Sequence, residues 1–196
     1  MKARAPDRRV DRTERVLHAA LMSLIQEKGF ESLSVQDILD RANVGRATFY
    51  AHFDNKEDLL ASGIERLRTS LRELQRRTAS GVTDADDRLF AFSHELFVHA
   101  HEHRTVFRAM LGKRSGVVIQ QLIHKMLIDL VREDVKAMVG SGDALTPAVE
   151  AVSQFIGGGL FGLLVWWTTG SMRMPVDDVN AVFRRLAIPC IKAAVG

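Results

Sequence analysis

The stretch NVGRATFYAHFDNKEDLL, residues 43–60, decides how the first part of the chain folds. It places three aromatic side chains between a glycine-containing turn and a run of charges: Phe49, Tyr50 and Phe53. A helix buried on every side would have no use for Arg46, His52 and Lys56, and a fully solvated helix would have no use for the aromatic residues. We therefore expect one face of this segment to pack on a small domain and the other face to meet a polar partner.

The residues before this stretch predict a supporting helix. Apolar residues recur every three or four positions from Val16 to Ile25, which is the pattern of an amphipathic helix. Asp11 suits its N-cap and Gly29 suits its end. A helix of this kind gives the following segments a surface on which to pack.

Two short helices joined by a turn are predicted next, over residues 34–53. Ser34 caps the first of them, with Asp37 three residues further on. Asn43 tolerates a left-handed conformation in the turn, and Gly45 can act as a weak N-cap for the second helix. The length and pattern are those of a helix-turn-helix, and a capped helix follows it directly.

The rest of the chain predicts longer helices and no strand. A fifth helix is expected from about Asp84 to His103, an eighth starts near Pro147, and Pro189 is expected to kink or end the ninth. The predicted fold class is all-α with about nine helices: a three-helix head on a larger helical body.

Composition is that of a soluble protein with a real core, at 46% hydrophobic and 26% charged residues. The net charge is +3, but the first 60 residues hold ten Lys/Arg and ten Asp/Glu, so a nucleic-acid surface there must come from spatial segregation of charge. The single cysteine, Cys190, excludes an intramolecular disulfide.

The most apolar run, residues 155–167, is shorter than the roughly 18 residues of a membrane span, and no signal peptide opens the chain. We predict a cytoplasmic protein with no membrane partner.

Residues 11–60 resemble the DNA-binding domain of the TetR family of transcriptional regulators. The resemblance rests on RANVGRATFYAHFDNKEDLL from Arg41, preceded by EKGFESLSVQDILD. Asn43 stands where the family usually has glycine, and Gly45 where it usually has serine, but both residues preserve the chemistry of the turn. The resemblance implies a DNA-binding domain with an N-terminal arm over residues 1–58, and an effector-binding and dimerisation domain over residues 59–196.

The resemblance also implies which residues contact DNA. Arg46 and Thr48, at the exposed start of the recognition helix, would lie near base edges, where arginine can bind guanine and a threonine methyl can meet that of thymine. Tyr50 could donate to a phosphate or be a buried structural tyrosine, His52 could contact phosphate or cap the helix, and Lys56 opens a helix whose N-terminus favours an anion. The full predicted set is Ser34, Gly45, Arg46, Ala47, Thr48, Tyr50, His52 and Lys56.

In the body, four aromatic residues could line an apolar effector pocket or form ordinary core: Phe90, Phe97, Phe107 and Trp166. Gly158 and Gly162 are four residues apart on a helix and would let another helix approach closely. In the family the last two long helices form a four-helix bundle with a second subunit, so the predicted dimer interface includes Gly158, Gly162 and Phe183.

The histidines raise a different possibility. Glu95, His99 and His103 could share a helix face, since i, i+4 spacing is used in metal sites, while a solvated helix end explains the same residues along with His94 and His101. No metal site or cofactor is predicted, and the absence of a nucleophile–base motif or phosphate loop argues against an enzyme.

We predict a homodimeric regulator, most often a repressor in this family, that binds double-stranded operator DNA and an unidentified small-molecule effector. The alternative is a metal-sensing or constitutive architectural DNA-binding dimer.

Overall fold

The computed structural model describes residues 8–81, 84–111, 117–139, 147–170 and 173–195. The predicted N-terminal arm before residue 8 and the GSGD break at 140–143 lie outside these ranges. Within them the chain is helical and contains no strand, which confirms the all-α class. The helices are α1 Arg8–Lys28, α2 Val35–Ala42, α3 Arg46–Tyr50, α4 Lys56–Gly81, α5 Ala85–Arg88, α6 Ala91–Glu102, α7 Arg104–Leu111, α8 Val117–Val139, α9 Pro147–Thr169 and α10 Val176–Val195.

Helices α1, α2 and α3 form the predicted three-helix head around a buried apolar centre, and the start of α4 packs against it. Leu21 of α1, Ile38 of α2 and Phe49 of α3 are fully buried there. The first helix starts at Arg8, so Asp11 lies in its first turn and is not its cap. Helix α1 contacts α2 and α4 within the head and also α7 of the body, while α4 reaches α6 and α8. The head is therefore held on the body by α1 and α4 together.

The single fifth helix predicted from Asp84 to His103 is divided into α5 and α6. The division lies at Phe90, whose φ of 56° is left-handed. Its backbone N–H donates to the Asp134 carboxylate of α8 at 2.9 Å. The Arg184 guanidinium of α10 donates to the carbonyl oxygens of Leu89 and, at 2.7 Å, of Asp86. Contacts from α8 and α10 thus stabilise a break that the local sequence does not signal.

The body is organised around the close pairing of α8 and α9. A Cβ atom built on Gly157 would lie 2.8 Å from Ile128 Cα, so the helix backbones approach as closely as they do because this residue is glycine. Helix α10 continues through Pro189 to Val195 instead of ending there. Ala187 and Ile191 are buried on either side of the proline, and their packing outweighs the one hydrogen bond that it removes.

Helix α9 is long and apolar enough to cross a membrane, judged by length and composition alone. One such helix is weak evidence, because core helices of soluble proteins pass the same test. Eight of its residues are buried within the chain, and the Trp167 indole donates to the Met174 carbonyl at 3.0 Å. A third of its apolar window is buried within the described chain, and another face of the helix is open.

Candidate nucleic-acid interface and effector cavity

Ser34 and Asp37 fix the start of α2 by bonding to each other. Ser34 Oγ accepts a hydrogen bond from the Asp37 N–H at 3.2 Å, and Asp37 Oδ2 accepts from the Ser34 N–H at 2.8 Å. This is the predicted capping box, and it is confirmed. The Lys28 ammonium also donates to Asp37 at 2.8 Å, and together with Ser34 it holds the pKa of that carboxyl well below its usual range. Helix α2 is thereby tied to the end of α1.

The turn between α2 and α3 has the conformation that its residues predict. Asn43 is left-handed, with φ 51° and ψ 48°, and the Val44 N–H donates to the Leu39 carbonyl at 3.1 Å. Gly45 is extended and caps α3 without a side-chain hydrogen bond. The first residues of α3 therefore emerge from a fixed turn at the surface of the head.

Helix α3 has one buried side and one open side. Phe49 is fully buried and Phe53 nearly so, with ring centroids 5.9 Å apart, which confirms that these residues hold α3 against the head. Tyr50, whose ring is edge-on to that of Phe49, is 50% exposed, so it is not the buried structural tyrosine considered above. Six of the eight predicted DNA-contacting residues lie exposed here, and we call this set the outer face: Ser34, Gly45, Arg46, Ala47, Thr48 and Tyr50.

Gln36 is an exposed neighbour of the outer face that sequence reasoning did not single out. Its side-chain oxygen accepts a hydrogen bond from Arg46 Nη2 at 2.9 Å, and its amide donates to Asp40 at 2.7 Å. An exposed glutamine on the helix before the recognition helix could have been flagged, because glutamine can bind adenine bidentately. The contact holds the Arg46 guanidinium at the surface in a defined orientation.

The Lys56 side chain is directed at the turn between α1 and α2 and is half-buried. Its ammonium donates to the carbonyl oxygens of Leu33 at 2.7 Å and Phe30 at 3.1 Å, and lies 4.7 Å from the centroid of the Phe30 ring. These contacts join the start of α4 to the turn between α1 and α2. The role in this structure is to hold the head together, and a phosphate would have to compete with these carbonyl groups.

His52 is also turned inward. Its Nδ1 lies 3.8 Å from a carboxylate oxygen of Glu14 on α1, and the imidazole is mostly covered. The other oxygen of Glu14 lies 3.9 Å from Arg66 Nη2 on α4. Glu14 of α1 thus lies between His52, beyond the end of α3, and Arg66 of α4.

A cavity of about 430 Å³ lies between the head and the body. It is bounded by α1 and α4 on one side and by α6, α7 and α8 on the other. Its lining is mainly apolar with a few basic groups: Arg15, His18, Met22, Leu60, Gly63, Ile64, Arg66, Leu67, His99, His103, Val106, Phe107, Met110, Ile123 and Met126. A larger groove of about 850 Å³ at the end of α1 has seven polar side chains among twelve lining residues, so the smaller cavity is the better site for an apolar molecule.

Of the four aromatic residues predicted for an effector pocket, only Phe107 lines this cavity. Phe90 is buried against Phe183, and Phe97 is buried against Trp167, with ring centroids 5.3 and 5.6 Å apart. Trp166 is 57% exposed, because the rotation of α9 turns its neighbour Trp167 into the core. The cavity is lined mostly by aliphatic and methionine side chains, which the aromatic pattern did not indicate.

Two histidines in the cavity wall are partly buried. His18 Nε2 lies 3.0 Å from Ser62 Oγ of α4, and burial, with the nearby charge of Arg66, lowers the pKa of His18 to about 4. Burial and the adjacent His103 lower the pKa of His99 as well. Both imidazoles are therefore neutral near pH 7. Within the described ranges, no group of three or more His, Cys, Asp and Glu residues is arranged to hold a metal ion.

An apolar surface on α9 and α10 is open to solvent. Phe155 is 71% exposed and Leu186 is 68% exposed, and Trp166 lies on the same helix as Phe155. Gly159 and Gly162 are exposed between the two aromatic residues, with no atom within 4 Å of a Cβ built on either. We call this surface the apolar face: Phe155, Gly159, Gly162, Trp166 and Leu186.

Of the three predicted interface residues, Gly162 is exposed, Gly158 is half-buried and Phe183 is buried. Gly162 belongs to the apolar face, whereas a Cβ on Gly158 would lie 3.7 Å from His124 of the same chain. Phe183 is buried in the core because α10 turns it towards Phe90. Its packing is therefore within the subunit.

Comparison with known proteins agrees with this architecture. Residues 16–62 match the family model described as bacterial regulatory proteins, tetR family, and residues 87–188 match a model described as a transcriptional regulator C-terminal region. An HTH-type transcriptional regulator from Bacillus subtilis, YxbF, is 41% identical over 66 residues, which is 33% of this chain and 17% of that protein. The stretches matched in the curated relatives span from 17% to 56% of those proteins' own lengths.

Solved structures resemble the fold over almost the whole chain. A protein from Syntrophomonas wolfei described as a TetR-family transcriptional regulator is 18% identical with a TM-score of 0.73, covering 95% of this chain and 96% of that one. FadR from Thermus thermophilus, described as a TetR-family transcriptional repressor in complex with lauroyl-CoA, is 20% identical with a TM-score of 0.64, covering 89% and 93%. At these identities the likeness extends to the fold alone.

Proposed function

The chain belongs to the TetR family of bacterial regulatory proteins, and we propose that it acts as a ligand-responsive repressor that binds operator DNA as a homodimer in the cytoplasm. The observation that carries the proposal is the outer face. A helix that is anchored by Phe49 and Phe53 presents Arg46, Thr48 and Tyr50 to solvent. A solvent-facing polar surface on a rigidly capped helix-turn-helix fits insertion into a DNA groove.

In this proposal α3 lies in the major groove. Arg46 binds a guanine edge, the Thr48 methyl meets a thymine methyl, and the small Gly45 and Ala47 let the helix approach closely. Tyr50 donates to a phosphate and fixes the register, and Ser34, whose hydroxyl donates to Asp37 in the free protein, lies against the DNA backbone. Gln36, bonded to Arg46 in the free protein, is released to contact a base or stays to orient the guanidinium.

The apolar face supports the dimer. Exposed aromatic residues beside exposed glycines are unfavourable in water and well suited to close packing against a second helix pair. Two copies joined through α9 and α10 would carry two outer faces. In dimers of this kind the recognition helices enter successive major grooves about 34–36 Å apart.

The cavity supports the response to a ligand. It lies where α1 and α4 of the head meet the body, so a molecule that fills it contacts both parts. A ligand shifts DNA affinity only by the difference in its own affinity for the two conformations. A structural neighbour described in complex with lauroyl-CoA supports a small-molecule effector in this fold. The cavity favours this reading over that of a constitutive architectural binder.

The proposal is tested by selecting bound sequences from random duplex DNA with the purified protein, then measuring affinity by fluorescence anisotropy. Arg46→Ala is expected to weaken binding to the selected sequence by about 5- to 150-fold and to relax discrimination at one base pair. Arg77→Ala removes a like charge from near the far end of α4, roughly 30 Å along that helix from its first residue, and is the matched control, expected to bind as the wild type does. Failure to enrich any sequence, or equal affinity of the Arg46 variant, would overturn the proposal.

A further inference from the structure

We propose that the cavity between head and body takes an apolar molecule carrying one anionic group, and that Arg66 binds that group. The inference rests on the proposed function, because it names the class of effector for the same cavity. It is drawn from the distribution of charge around the lining. Among the described residues that line it, nine have aliphatic, methionine or phenylalanine side chains and none has a carboxylate.

The positive charge of the lining comes from Arg15 and Arg66. Arg66 is 45% exposed on its side chain, so the guanidinium lies at the mouth while the cavity behind it is apolar. His18 and His99 are partly buried and neutral near pH 7, so they can hydrogen-bond to a ligand without adding charge. An apolar body with an anion at one end matches this arrangement, whereas a cationic ligand would meet like charge at the mouth.

The guanidinium of Arg66 is available for a ligand. Its contact with Glu14, at 3.9 Å, is longer than a hydrogen bond, and the described residues make no shorter polar contact with it. Within the described part of the chain, Arg15 donates only through Nε, to the Asp11 carbonyl at 3.3 Å. A hydrogen bond between the Arg66 guanidinium and the carboxylate of a ligand would be shorter and stronger than the 3.9 Å contact with Glu14.

The same arginine connects the cavity to the recognition helix. Glu14 lies between Arg66 and His52, and His52 is two residues beyond the end of α3. An anion in the cavity competes with Glu14 for the Arg66 guanidinium. Release of Glu14 from Arg66 changes its contact with His52. Ligand binding would therefore reach the segment that positions the outer face.

Isothermal titration with three matched probes below their micelle concentrations tests the inference: decanoate, decanol and decyltrimethylammonium. Decanoate is expected to bind at least about tenfold more tightly than decanol, which corresponds to one charge-assisted contact, and the cation is expected not to bind. Arg66→Gln is expected to abolish that tenfold preference while leaving decanol affinity unchanged. Arg77→Gln is the control and should retain the preference.

The outcomes separate this inference from the proposed function. Val106→Trp, which fills the cavity, is expected to abolish binding of decanoate while helicity by circular dichroism is retained. Equal affinity for decanoate and decanol, binding of the cation, an unaffected Arg66→Gln variant, or no binding of any probe would each overturn the inference. Affinity for DNA is measured separately on the unliganded protein. A protein that binds decanoate but no DNA would refute the proposed regulatory function and leave the proposed cavity ligand standing.

Discussion

Lys56 shows how one side chain can stabilise the whole head. Its ammonium donates to the carbonyl groups of Phe30 and Leu33 in the turn after α1, and the Phe30 carbonyl also accepts a hydrogen bond from the Leu33 N–H at 3.1 Å. The lysine also lies over the Phe30 ring, which is itself buried. The contacts therefore tie the start of α4 to a turn more than twenty residues earlier in the chain.

We expect Lys56→Ala to lower the free energy of unfolding by about 1.5–3 kcal/mol, the typical worth of hydrogen bonds to a charged group. Urea unfolding followed by circular dichroism at fixed protein concentration measures this loss. Lys125→Ala, at an exposed position of α8, serves as the control and should change stability little. If the two variants are equally stable, Lys56 is a solvated lysine and its contacts contribute nothing.

Asp134 is a second residue with a role across several helices. It accepts hydrogen bonds from the Phe90 N–H at 2.9 Å and from Gln75 at 3.1 Å, and so joins α8 to α4 and to the break before α6. Burial raises the pKa of Asp134 from 3.8 to about 6, with these donors and Arg184 opposing the rise. Between these two pH values the folded state binds more protons at this site than the unfolded state does, so the contribution of Asp134 to stability falls as the pH rises.

Asp134→Asn removes this titration while keeping an oxygen that can accept from Phe90. We expect the variant to gain stability relative to the wild type as the pH is raised from 4 to 7, by at most about 3 kcal/mol, since one pKa unit corresponds to about 1.4 kcal/mol. Chemical unfolding of both proteins at pH 4.5 and pH 7 measures the difference. A difference that is the same at both pH values would contradict the assignment.

At the scale of elements, the pairing of α8 and α9 depends on Gly157. A Cβ there would lie 2.8 Å from both Cα and Cγ1 of Ile128, so a larger residue must push the helices apart. We expect Gly157→Ala to destabilise the protein by about 1–3 kcal/mol, the usual cost of overpacking, despite the better helix propensity of alanine.

Gly81→Ala is the matched control for this prediction, because a Cβ on that exposed glycine at the end of α4 would meet nothing within 4 Å. Its thermal midpoint should equal or exceed that of the wild type. If the Gly157→Ala protein unfolds at the wild-type temperature, α8 and α9 accommodate the added methyl group without loss of stability, and the prediction is wrong.

Elements with local signals were predictable from the sequence, and those set by distant contacts were not. The helix-turn-helix follows from Ser34, Asp37 and Asn43, whose partners lie within a few residues. The break at Phe90 depends on Asp134, which is 44 residues away. The choice between the neighbouring Trp166 and Trp167 as the buried tryptophan depends on the rotation of α9 against Phe97, and composition carries no information about it.

At the scale of the whole molecule, the apolar face predicts the oligomeric state. We expect the wild type to sediment as a dimer and Trp166→Glu to sediment as a monomer, because an unpaired charge is costly to bury in an interface. Val16→Glu changes an exposed apolar residue of α1 and should remain dimeric. A monomeric wild type, or a dimeric Trp166→Glu variant, would place the subunit contact elsewhere.

Hydroxyl-radical footprinting on the DNA sequence selected by the protein tests the central claim most directly. A dimer that presents two outer faces predicts two protected patches on one side of the duplex, with centres about 10–10.5 base pairs or a multiple apart. Both patches should disappear with Arg46→Ala at a concentration where the wild type protects fully. A single patch, or protection that is the same for the wild type and the variant, would contradict the claim that α3 reads DNA in pairs.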